Sequence, residues 1–171
     1  LHFCSNKLSY KRIIQMGENK KFVFNIGDSH IDALRSTKIY KKDELEKKFP
    51  FIKNEKYCVL LFHPDGTSFK KNQIYIKNII EILDKKKCRA ICIYPCNDIG
   101  YEPIVKELKR VNLKGNYNVF KNLFYKDFIS LIKNSEFLIG NSSSGIIETA
   151  YLNTPTINLG DRQKNRLMSN N

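Results

Sequence analysis

Apolar and polar positions along this chain follow two periods, one helical and one extended, and the two alternate from end to end. Residues 6–16 read as a helix that ends at Gly17, and KFVFNIG reads as a short strand closed by Gly27. DSHIDALRST holds one or two helical turns, and KKDELEKKF forms another short helix. YCVLLFHP is a continuous apolar run, the pattern of a strand covered on both faces. After a polar loop, NQIYIKNIIEILDKKK carries apolar residues at 74, 76, 79, 80, 82 and 83, a helical stripe. CRAICIYP reads as a strand, EPIVKELKRV as a helix and NYNVFKN as a strand. YKDFISLIKNS, apolar at 128, 129, 131 and 132, is a helix; EFLIG is a strand, SGIIETAYLN a helix and TINLG the last strand. Strands and helices that alternate over short connections predict βαβ units. The fold class is therefore α/β, with a mainly parallel, right-handed, doubly wound sheet. Such sheets bind ligands beyond the carboxyl ends of their strands, so the residues that follow strands directly are the ones to weigh.

Composition adds limits. The 171 residues are 42% hydrophobic and 27% charged, with five Pro and eight Gly, which suits one soluble globular domain. No run of roughly 18 apolar residues predicts a membrane span. The start, LHFCSNKLSYKR, lacks the apolar stretch of a secretory signal and an initiator Met, and the chain stops at RLMSNN. The expectation is a piece of a longer, cytoplasmic protein.

The formal charge is +13, from 30 Lys and Arg against 17 Asp and Glu. A basic surface favours anionic ligands. The lysines, however, are spread through KKDELEKKF, LDKKKCR and KELKR, which reads as solvated helix faces rather than a nucleic-acid stripe. The five cysteines include Cys88, Cys92 and Cys96, spaced by four. On a strand that spacing separates neighbours by roughly 13 Å, too far to share one ion. No metal is expected, and the cysteines read as small reduced core residues.

Four strand ends carry candidate chemistry. In GNSSSGIIE, small residues allow a tight turn, and a helix beginning near Ser144 would offer unpaired N–H groups to an anion. Ser142 and Ser143 can add hydroxyl donors, and Glu148 can accept two hydrogen bonds from a vicinal diol such as a ribose. A serine cap followed by a helix-favouring Glu explains the same pattern. His63, in Phe62-His63-Pro64, can donate to a phosphate or sugar oxygen, or be a loop residue without a role. Arg162, in NLGDRQ, suits phosphate with its fork of donors, or simply pairs with Asp161. Asn97, Asp98 and Gly100 form a turn that turn chemistry alone would explain. Gly27-Asp28-Ser29 lacks the rest of a GxGxxG fingerprint, and Asp28, His30 and Asp32 fit a capped helix start as well as any cluster.

Taken in order, FHP, PCNDIG, GNSSSGIIE and NLGDRQKNR resemble the carboxy-terminal half of the UDP-N-acetylglucosamine 2-epimerase family, and of its hydrolysing branch in particular. HFCSN, RIIQMGEN, VFNIG and ID look like that family's crossing between two domains. The resemblance implies one half of a GT-B fold. Residues 1–24 would be a piece of the first domain with the crossing segment, and 25–171 the nucleotide-binding domain. It implies a UDP-sugar substrate and no cofactor. Ser142, Ser143, Glu148, Arg162, Asp98 and Gly100 would be binding residues and His63 a catalytic one. In the PNxDxG turn the sequence departs: Cys96 stands where Asn is usual, and Asn97 follows one place later.

The implied reaction eliminates UDP as the sugar's carbon 2 loses its proton, and water then releases the free 2-epimer, N-acetylmannosamine or a diacetamido-trideoxy analogue. This serves sialic-acid-type sugar synthesis. The proton-transferring carboxylates would lie in the absent first domain, so the chain alone is expected to bind UDP weakly and not to turn over. Homo-oligomers are common among such relatives. Two other readings stay open: the donor domain of a GT-B glycosyltransferase, and a basic nucleic-acid-binding module.

Overall fold

The structure, a computed structural model, describes residues 1–66 and 68–171. They form two compact units, Leu1–Thr37 and Lys38–Asn171.

In the first unit, β1 (His2–Cys4), α1 (Lys7–Gln15), β2 (Val23–Asn25) and α2 (Ser29–Ser36) make a βαβ unit and one further helix. The two strands pair in parallel, His2 opposite Val23. Three residues are too few to show a period, which is why β1 escapes the sequence pattern. Asn6 caps α1 by accepting from the Ser9 N–H at 2.8 Å. Asp28 caps α2 by accepting from the His30 N–H at 2.9 Å, the capped helix start that the sequence allows at residues 28–32.

The second unit runs α3 (Lys42–Lys48), β3 (Tyr57–Leu61), α4 (Phe69–Lys85), β4 (Arg89–Ile93), α5 (Glu102–Val111), β5 (Tyr117–Phe120), α6 (Tyr125–Lys133), β6 (Phe137–Gly140), α7 (Glu148–Leu152) and β7 (Thr156–Asn158). Its five strands lie in the order β5-β4-β3-β6-β7, and every pairing is parallel. β3 is buried along its whole length, as its unbroken apolar run predicts. Cys58, Leu60 and Phe62 pack with Ile76, Ile80, Ile104 and Leu108, which places α4 and α5 on one face of the sheet. The Tyr57 hydroxyl donates to the Leu131 carbonyl at 2.7 Å, which places α6 on the other. The sheet is thus the middle of three layers.

Of the predicted stripe on α4, Ile76, Ile79, Ile80 and Leu83 are buried, while Ile74 and Ile82 stay exposed. Each buried aliphatic side chain contributes roughly 1.5–3 kcal/mol. Winding runs from β3 through β4 to β5, then returns across β3 to β6 and β7. Strand order therefore reverses between β3 and β6, and the loops leaving them must diverge to opposite faces.

The segment after β6 corrects one expectation. Instead of a helix from Ser144, it forms a single 3-10 turn, Ser143–Gly145, and then the five-residue α7, whose first residue is Glu148. Gly145 is pressed against Thr156 and Leu138, and two β-branched residues, Ile146 and Ile147, follow it. The glycine and the β-branched pair both disfavour a continuous helix.

Candidate functional site

Four loops leave the carboxyl ends of β4, β3, β6 and β7, which are neighbours in the sheet. All four candidate regions therefore line one edge, and hydrogen bonds join them. At their centre is Asn141, only 2% exposed. Its side-chain oxygen accepts from the His63 backbone N–H at 2.7 Å, and its side-chain amide donates to the His63 carbonyl at 2.9 Å. Its own carbonyl accepts from Gln163 Nε2 at 2.8 Å and from Arg162 at 3.4 Å. Gln163, 2% exposed, in turn accepts from Arg166 at 2.9 Å. One buried residue thus ties the loops of β3, β6 and β7 together.

Replacing Asn141 with Ala strands both backbone groups of His63. The expected cost is about 2–3 kcal/mol, read as a lower urea midpoint at unchanged slope. Asn141→Asp should cost a similar amount, because it sets an acceptor against the His63 carbonyl.

His63 faces the loop after β4. Its Nδ1 lies 3.2 Å from the Cys96 N–H and 3.1 Å from Cys96 Sγ, and Cys96 Sγ lies 3.0 Å from Asp98. Asp98 pairs with Arg162 at 3.7 Å. Burial, and after it the Arg162 charge, lowers the His63 pKa from 6.5 to about 4, with Asp98 opposing. The ring is neutral at physiological pH. The unfolded chain takes up a proton at the ordinary 6.5, whereas the folded state resists until about 4. The stability from a neutral His63 is complete above 6.5 and lost as pH falls toward 4. The stability of a His63→Gln variant should therefore decline less over that window, as measured by denaturation at stepped pH.

Cys96 corrects a second expectation. Cys4, Cys58 and Cys92 are buried core residues, but Cys96 is exposed beside His63. Among the described residues no group of three His, Cys, Asp or Glu side chains is placed to hold a metal.

Gly100 has φ +91, and a Cβ there would meet Asn72 Nδ2 at 2.6 Å. Asn72, buried in α4, donates to the Gly100 carbonyl at 3.3 Å. Gly100 shapes the turn that carries Asp98.

The Ser142 oxygen accepts from the Ser144 N–H at 3.3 Å, so Ser142 is itself the cap of the 3-10 turn. The N–H groups of Gly145, Ile146 and Ile147 bond to the carbonyls of Ser142 and Ser143. The amides of residues 144–147 are thus engaged, and the expected helix-terminus anion site is absent from them. Hydroxyls remain as donors, Ser142 buried and Ser143 half-buried.

Glu148 is 5% exposed, and its Oε2 has no hydrogen-bond partner among the described residues. A buried carboxylate oxygen left unpaired is costly in the absence of a ligand.

A cavity of about 640 Å³, lined by Phe62, Tyr75, Ile79, Asn141, Leu159 and Arg162 among others, adjoins these loops on the α4 side. Asn141 and Arg162 line it, whereas His63, Ser142 and Glu148 do not.

The signals for Asn141, Gln163 and Cys96 were present in the motifs, but nothing in their spacing showed that they hold the loops together.

Fold and site together define a parallel α/β domain, one half of a GT-B fold, with its candidate polar residues on the loops that follow the strands where their order reverses. The match to known families is to the one described as UDP-N-acetylglucosamine 2-epimerase, over residues 1–171. The chain belongs to that family.

It is 33% identical to the GDP/UDP-N,N'-diacetylbacillosamine 2-epimerase (hydrolyzing) of Campylobacter jejuni, covering 100% of this chain and 45% of that protein. It is 32% identical to the UDP-N-acetylglucosamine 2-epimerase of Neisseria meningitidis, covering 98% and 44%. The chain thus spans a little under half the length of the curated relatives it matches. Among solved structures, it matches the UDP-GlcNAc 2-epimerase from Neisseria meningitidis bound to UDP-GlcNAc with a TM-score of 0.71 at 21% identity. That match covers 94% of this chain and 44% of the other. The S. aureus MnaA-UDP co-structure matches with a TM-score of 0.72 at 19% identity, covering 94% and 42%. Among the described residues no helix is long and apolar enough to cross a membrane.

Proposed function

We propose that this chain is the nucleotide-binding half of a hydrolysing UDP-N-acetylglucosamine 2-epimerase, a cytoplasmic enzyme that releases UDP and a free 2-epimer sugar. The supporting observation is Glu148: a buried carboxylate with one oxygen unpartnered, at the strand-end edge where a ribose diol would supply two donors. Arg162 and the hydroxyls of Ser142 and Ser143 supply the donors that a diphosphate needs, and His63 supplies a neutral one. These groups stabilise the charge that builds on UDP as the bond from the anomeric carbon breaks.

In this reading the carbon-2 proton is removed, and water is later added, by carboxylates of the first domain. The chain alone binds UDP without turnover. The names of the Campylobacter jejuni and Legionella pneumophila relatives, both hydrolyzing diacetylbacillosamine 2-epimerases, favour the hydrolysing branch and a diacetamido sugar.

Calorimetry of the full-length protein with UDP and GDP, followed by NMR of the sugar product, tests the proposal. Free 2-epimer with stoichiometric UDP is the expected result. A UDP-sugar epimer as the sole product, or transfer of the sugar to an acceptor, would overturn it.

A further inference from the structure

The loop after β4 contributes no obvious binding group at position 96, yet Cys96 touches two of the site residues. Its backbone N–H points at His63 Nδ1 (3.2 Å), and its sulfur lies between that same nitrogen (3.1 Å) and Asp98 Oδ2 (3.0 Å). An imidazole nitrogen that accepts an N–H bond carries no proton, and its single lone pair is then committed. The thiol hydrogen must go to the other neighbour, the Asp98 carboxylate, which also faces Arg162 at 3.7 Å.

We propose that Cys96 is a positioning residue that works through both of its donors. The backbone N–H fixes His63 as the tautomer protonated on Nε2, and the thiol braces Asp98 and, through it, Arg162. His63 then presents Nε2–H as a ready donor, and Nε2 has no hydrogen-bond partner among the described residues. Arg162 is kept over the crevice by a partner that a bound diphosphate can displace. This deepens the reading of the site as a diphosphate grip and rests on it.

Two arguments support the assignment. A neutral ring is required for a fixed tautomer, and burial of His63 provides one. The thiol must also stay protonated to donate, and burial together with the Asp98 hydrogen bond raises the Cys96 pKa. An Asn at this position would carry a side-chain donor as well.

The test uses the full-length protein labelled with 15N-histidine, with the His63 signals assigned by their loss in His63→Gln. Nδ1 should appear at the unprotonated shift and Nε2 at the protonated one. The opposite tautomer, or an averaged pair, overturns the backbone part.

The thiol part is read from UDP affinity. Cys96→Val, which keeps bulk but no donor, should weaken binding by about three- to tenfold, whereas Cys96→Ser and Cys96→Asn should retain it. Because the thiol acts through Asp98, Cys96→Val made in an Asp98→Ala background should cost almost nothing further. An equal loss in both backgrounds overturns the brace. So does parent-like affinity of the Val variant. If the parent protein binds no UDP at all, the nucleotide reading fails and takes the brace to diphosphate with it, while the NMR result still decides the tautomer.

Discussion

Replacing Glu148 with Gln should weaken UDP binding to the full-length protein by about tenfold to a hundredfold, the range for a lost charge-assisted hydrogen bond. The same variant should bind inorganic pyrophosphate as the parent does, since Glu148 is assigned to the ribose and not to the phosphates. Calorimetry with the two ligands side by side separates these outcomes. An equal loss for both would move Glu148 from ribose contact to general scaffold.

Stability should respond in the opposite sense. Glu148 is 5% exposed and its Oε2 lacks a partner, so the ligand-free fold carries a desolvated oxygen that it does not satisfy. Gln removes the charge, and the urea midpoint of the free protein should hold or rise. A side chain that weakens the empty fold and strengthens the complex is what a binding residue looks like energetically.

The second large effect belongs to Gly140. Its φ is +151, and a Cβ built there overlaps the carbonyl oxygen and carbon of Leu61 on the neighbouring strand. No rotamer relieves such a clash, because both partners are backbone. Backbone strain and overpacking each cost about 1–3 kcal/mol, so Gly140→Ala should lose about 3 kcal/mol or more. Chemical denaturation reads that loss, and UDP binding should fall with it as β3 and β6 are forced apart. The neighbouring substitution Gly160→Ala is the control. Gly160 also has a positive φ, +68, but a Cβ there meets nothing within 4 Å, so the expected cost is the smaller, conformational one alone.

Much of this architecture was legible before any coordinates. The unbroken run at 57–61 could only be a strand covered on both faces, and the stripe on α4 named four of its buried residues. The rule that ligands gather beyond strand ends then selected His63, Asp98, Ser142, Ser143, Glu148 and Arg162, which the sheet order brings to one edge. What stayed hidden was contact between loops distant in sequence. Asn141 meets His63 across 78 residues, and Cys96 meets it across 33; local spacing carries no information about either. The stretch after Ser142 misled for another reason. SGIIETAYLN carries the apolar spacing of a helix, but Gly145, Ile146 and Ile147 lower its helix propensity, and the chain makes one 3-10 turn first.

The clamp made by Asn141 has a consequence for how the crevice comes to exist. β3 and β6 pair regularly as far as Leu61 and Gly140, and the Asn141 N–H still reaches the Leu61 carbonyl at 3.3 Å. At the next rung the peptide of a partner strand is replaced by the Asn141 carboxamide, which holds a donor and an acceptor in one plane just as a peptide does. The ladder gains a final step built from a side chain. That step leaves the Asn141 carbonyl unclaimed by the sheet, and Gln163 and Arg162 take it instead. Two strands can therefore part company with the backbone groups of His63 and the Asn141 carbonyl still paired, and the site opens at the point where main chain gives way to its imitation.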